Sequence, residues 1–68
     1  MEDNAFYKPE CKLIGEDGNV FFIISRVCRT LRKFGYPDKA EEFQKKATTE
    51  CGSYYEVLQL VDEYVIIT

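Results

Sequence analysis

Apolar residues between positions 19 and 34 recur at helical spacing. Val20, Ile24, Val27, Leu31 and Phe34 step by four, three, four and three residues, which places all five on one face of a 3.6-residue helix. Ile23 and Cys28 widen that stripe. Asn19 is a good N-cap and Gly35 a good C′ residue in the left-handed conformation. A competing pattern lies at the start of the same segment. Asp17-Gly18 is a hairpin signal, and Val20-Phe21-Phe22-Ile23-Ile24 is rich in strand formers. A hairpin accounts only for those first five residues, whereas a helix accounts for the whole of 19–34. The spacing therefore predicts a helix there.

A second helix is predicted over 37–48. Pro37 loses no hydrogen bond at a first helical position, and Asp38 and Glu41 suit the positive end of the helix dipole. Ala40, Phe43 and Ala47 form its narrow apolar stripe, with Lys45 and Lys46 in its last turns. The third helix, over 53–63, opens on Ser53-Tyr54-Tyr55-Glu56. In that capping box the Ser53 hydroxyl accepts from the Glu56 N–H and the Glu56 side chain accepts from the Ser53 N–H. Its stripe is Tyr54, Val57, Leu58, Val61 and Tyr64, and of the neighbouring Tyr54 and Tyr55 one should pack while the other is wetter. Short strands are expected near 11–14 and 64–67. Two such strands cannot satisfy their edges alone, so they should pair with each other while the helices cover one face. The expected architecture is α+β, in the order β-α-α-α-β, with Ile24, Val27, Leu31, Phe43, Leu58 and Val61 deepest. Residues 1–10 read as a loosely ordered leader, because Pro9 opposes a helix, with Phe6 and Tyr7 available to pack onto the domain, and residues 11–68 as one globular domain.

The stretch Leu13-Ile14-Gly15-Glu16-Asp17-Gly18-Asn19-Val20-Phe21-Phe22-Ile23-Ile24, followed by Arg26-Val27 and Leu31-Arg32-Lys33, resembles a group of short bacterial and phage proteins. They share a Gly-x-Asp-Gly-Asn-x-Phe motif followed by an arginine-bearing aliphatic helix. The likeness extends through Phe43, Ala47-Thr48, Gly52-Ser53-Tyr54, Val57-Leu58 and Tyr64-Val65, and so spans residues 12 to 67. The chain departs from the group's pattern at Val20, where a small Ala is usual, at Ser53, which replaces an Asp, and at Glu56, where a His is common. The resemblance implies a domain type and a bacterial or phage origin. It implies no activity, since the group has none assigned, and Glu56 removes any imidazole role.

Size and composition narrow the rest. At 68 residues the chain is one small domain, burying roughly 60% of its unfolded surface. It is 46% hydrophobic with five Tyr and five Phe, too apolar and aromatic to stay disordered. No apolar run approaches the ~20 residues of a membrane span, and the acidic start Met1-Glu2-Asp3-Asn4 is unlike a signal peptide, so a cytoplasmic protein is expected. Cys11, Cys28 and Cys51 are odd in number and widely spaced. Three reduced thiols are the expectation, not a disulfide framework or a zinc site.

The same residues argue against an enzyme. The chain has no His, so Cys28 lacks an imidazole to activate it and sits among core positions. No Gly-rich phosphate loop, Ser-His-Asp set or pair of carboxylates in a defined pocket can be argued, so small a chain has little room for the usual ligand cavity, and no cofactor or metal is called for. Glu16-Asp17-Gly18-Asn19 lacks the alternating ligands and closing Glu of a calcium loop. It reads as a turn in which Gly18 supplies a positive φ and Asn19 caps a helix.

One pattern points outward. Arg26, Arg29 and Lys33 repeat at i, i+3 and i+7, opposite the apolar stripe, with Arg32 beside them and Phe22 four residues before Arg26. Arginine next to an aromatic recurs at interfaces. The patch Phe22, Arg26, Arg29 and Lys33 is the candidate docking surface, for a protein partner or a second copy of the chain. The alternative is a nucleic-acid-associated protein using the same helix face. A net charge of −3 opposes that alternative, because nucleic-acid binders carry the reverse balance.

Overall fold

The computed structural model describes residues 6–16 and 18–68. Five elements follow one another: strand β1 (Glu10–Cys11), helix α1 (Val20–Lys33), helix α2 (Pro37–Thr49), helix α3 (Tyr54–Tyr64) and strand β2 (Ile66–Ile67). This is the α+β order expected from the sequence.

Each helix begins where its sequence signals place it, and α1 also ends there. Asn19 caps α1, its Oδ1 accepting from the Phe21 N–H at 2.8 Å. At the other end Gly35 adopts φ +90°. The Gly35 N–H donates to the Arg32 carbonyl at 3.1 Å and the Tyr36 N–H to the Leu31 carbonyl at 2.8 Å. Those two bonds make a Schellman motif, which satisfies carbonyls that the helix leaves open. Pro37 occupies the first turn of α2. The capping box of α3 is displaced by one residue: Ser53 Oγ accepts from the Glu56 N–H at 3.3 Å, but Glu56 Oε1 takes the Gly52 N–H, at 2.6 Å, in place of the Ser53 N–H.

The strands come from opposite ends of the described chain and pair in parallel, Glu10 beside Ile66 and Cys11 beside Ile67. Both are shorter than the sequence suggests. Beyond Cys11 the Leu13 and Ile14 N–H groups both donate to the Thr68 carbonyl, each at 2.9 Å, which ends the regular ladder. A turn follows, with Gly15 at φ +83°. Gly15, and not Gly18, supplies the left-handed residue here. Asp17 of the expected turn lies outside the described residues. At the C-terminal end Tyr64 remains helical, and the fully buried Val65 turns the chain into β2.

Residues 6–10, expected in a loosely ordered leader, lie against the domain; residues 1–5 are outside the described set. The Phe6 ring meets Tyr36 edge-on at 4.8 Å between centroids, and Lys39 Nζ lies 5.3 Å from the Phe6 centroid. Lys8 Nζ donates to the Asp62 carbonyl at 2.8 Å, and Pro9 is buried.

The core lies where the three helices and the sheet meet. Val27, Leu31, Phe43 and Val61 are fully buried, as expected. The α1 stripe is rotated by about one position from the expected one. Ile23 is buried and Ile24 half-buried, because Ile24 lines the edge of α1 that faces the end of α2. Phe34 leaves the stripe at 55% exposed because it is already the C-cap. Leu58, expected among the deepest residues, is half-buried, and Tyr54 and Tyr55 are both exposed, at 47% and 68%.

Candidate interaction surface

Helix α1 presents its core stripe inward, so the residues half a turn away face solvent. They include all four of its charged residues, Arg26, Arg29, Arg32 and Lys33, and every one is a base. Arg26 is the most constrained. Its guanidinium lies 5.0 Å from the centroid of the Phe22 ring, and its Nη2 is 3.5 Å from Glu16 Oε1. The cation over the ring fixes the arginine along the helix, and the carboxylate offsets part of its charge. Arg29 and Lys33 are exposed and form no ion pair among the described residues. Phe22, Ser25, Arg26 and Arg29 line a shallow depression of about 210 Å3.

The four patch residues named from the sequence therefore share one helix face, but in unequal settings. Phe22 is half-buried beneath Arg26 and not freely exposed. The exposed phenyl ring is that of Phe21, at 75%, on the adjoining flank of α1.

Phe21 marks a feature that sequence reasoning missed. An apolar groove of about 470 Å3 runs between Val20, Phe21 and Ile24 of α1 and Thr48, Cys51 and Tyr54 of α2, the following connection and α3. The groove is open to the surface, where three element ends meet, and so differs from the enclosed ligand cavity for which so small a chain has little room. A second depression, reaching along α1 to Arg32 and across to Gln44 of α2, shares Phe21, Ile24 and Thr48 with the groove and Ser25 with the basic depression. Charge changes sign across this surface. Glu50 and Glu56 flank the far wall, and their charges add to burial in pushing the half-buried Cys51 thiol up.

The remaining reactive groups make contacts within the fold. Cys11 and Cys28 are buried, and the Cys28 thiol, raised by burial, donates to the Ala40 carbonyl at 3.6 Å. The buried Tyr64 donates its hydroxyl to Glu42 Oε2. That bond holds the Glu42 carboxyl below the usual range; burial, together with the carboxylate, raises the Tyr64 phenol. Among the described residues no cluster of His, Cys, Asp and Glu has the arrangement of a metal site, and no helix is long and apolar enough to cross a membrane.

Fold and surface together define a small α+β domain whose first helix carries a basic outer face beside an apolar groove. Comparison with protein-family models, with curated proteins and with solved structures returns no match.

Proposed function

We propose that this chain is a non-enzymatic protein-interaction module of bacterial or phage origin. It works in the cytoplasm and docks an acidic protein surface on Phe22, Arg26, Arg29 and Lys33. The observation that carries the reading is the charge distribution on α1. A chain of net charge −3 concentrates four of its nine bases, and no acid, on one helix. Arg29 and Lys33 there have no internal ion-pair partner among the described residues. A local reversal of sign of this kind steers an oppositely charged surface into place. The surrounding acids would repel an extended phosphate backbone, which favours a protein over nucleic acid. The origin rests on the sequence resemblance alone. The non-enzymatic reading is supported by the absence of His from the chain and by the burial of Cys28 and Tyr64.

The test is affinity capture from a bacterial lysate with the parent and with the Arg26→Glu/Arg29→Glu variant, alongside a salt titration of the parent against duplex DNA. Proteins retained by the parent and lost by a folded variant are the expected result. Tight DNA binding at physiological salt, falling steeply as salt rises, would replace the protein partner with nucleic acid.

A further inference from the structure

The groove beside the basic face has a layout that is complementary to itself. On one side stand the bases of α1, with Arg29 exposed and unpaired among the described residues. In the middle lie the exposed Phe21 and Tyr54 rings and the apolar groove between them. On the other side stand Glu50, the C-cap of α2, and Glu56, whose Oε1 accepts from the Gly52 N–H at the groove wall. Neither acid forms an ion pair among the described residues. Neighbouring depressions on this surface share lining residues, Phe21, Ile24 and Thr48 between the groove and the second depression and Ser25 between the second and the basic one.

A patch with an apolar centre, positive on one flank and negative on the other, matches its own copy under two-fold rotation. The rotation sets each centre on the other centre and each positive flank on the partner's negative flank. An unrelated acidic partner would gain from the bases but would be repelled by Glu50 and Glu56 if it also entered the groove. We infer that the occupant of this surface is a second copy of the chain, in an isologous dimer that packs Phe21 and Tyr54 at its centre and places Arg29 of each copy against Glu50 of the other. The inference rests on the protein-interaction reading above and names the partner.

Sedimentation equilibrium and light scattering on the purified chain test it. The parent mass should rise with concentration from 8.0 kDa to twice that value and stop there, because an isologous contact closes. Phe21→Ala removes an exposed ring, so it should leave helical content unchanged and weaken the dimer. Arg29→Glu and Glu50→Arg each reverse one charge in two symmetry-related contacts, and each should weaken the dimer roughly tenfold. An equimolar mixture of those two variants should restore a dimer, since both contacts in the mixed pair again join opposite charges. The double variant Arg29→Glu/Glu50→Arg should also restore one. A parent that remains monomeric to about 1 mM, growth beyond two copies, or failure of both rescues overturns the proposal. A monomeric parent that still captures another protein through α1 overturns the dimer and leaves the interaction module standing; one that instead binds duplex DNA overturns both.

Discussion

Replacing Tyr64 by Phe isolates one polar contact in an otherwise unchanged core. The ring stays packed edge-on against Phe43, with centroids 5.4 Å apart, and against Phe6 at 6.4 Å. Only the hydroxyl that donates to Glu42 is lost. A hydrogen bond to a charged group contributes about 1.5–3 kcal/mol. The Glu42 side chain is 45% exposed and already lies 3.7 Å from Lys46 Nζ, so water and the lysine take up part of that contribution. The expected loss at neutral pH is at the lower end, about 1.5 kcal/mol. In a domain of this size it lowers Tm by roughly 6–12 °C.

The pH dependence gives the sharper test. The folded Glu42 carboxyl titrates below its unfolded value, because Tyr64 donates to its charged form and, against some burial, Lys39 and Lys46 add to the effect. Its contribution is complete above the unfolded carboxyl pKa and is lost as pH falls through the folded one. The gap between parent and Tyr64→Phe should therefore be largest near neutrality and shrink to less than half by about pH 3. Urea unfolding followed by circular dichroism at the two pH values measures it. An equal gap at both would show that the hydroxyl does not act on the carboxylate's charge, and the argument would fail.

Leu31→Ala should cost about 2–5 kcal/mol, enough to threaten cooperative unfolding in so small a domain, whereas Leu58→Ala should cost about half as much because Leu58 is only partly buried; melting curves in the reverse order would contradict the core assignment. Gly35→Ala should destabilise by about 1 kcal/mol, since φ there is +90° and a Cβ is strained in that conformation; an unchanged urea midpoint would refute the Schellman account. With an aromatic disulfide reagent at mild alkaline pH, Cys51 should react first, more slowly than a free thiol because burial and the charges of Glu56 and Glu50 hold its proton, while Cys11 and Cys28 should react only as fast as the domain unfolds; a fast reaction at Cys28 would contradict its burial.

Local chemistry made the elements readable in the sequence. Asn19, Gly35, Pro37 and Ser53 act through backbone geometry within a few residues of themselves, and each does in the structure what its residue type implies. The errors arise where a distant part of the chain decides. Ile23 and Ile24 are equally apolar, and which one turns inward depends on where α2 and α3 approach α1. Pro9 correctly excluded a helix and Phe6 was readable as a packing residue, but nothing near it in sequence reveals that its partners are Tyr36 and Tyr64. The basic face was legible because it repeats along a single helix. The groove was not, because its walls come from positions 20 to 57 and exist only once three element ends converge. Phe21 held the one available signal: it falls outside every apolar stripe of α1.

The parallel pairing of β1 and β2 has a mechanical consequence. Tension applied through the residues before Glu10 and after Ile67 draws two parallel neighbours in opposite directions along their common axis. The bonds that cross between them, from Ile66 to Pro9, Thr68 to Cys11, and Leu13 and Ile14 to Thr68, lie across that pull and are loaded in shear, all at once. An antiparallel hairpin pulled at its open end would unzip one bond at a time. The two-residue sheet thus serves as a clasp, and the helices bear no extension until it breaks. In a force–extension trace the domain should yield in one abrupt event, at a higher force than its few strand bonds would resist if they peeled apart in turn.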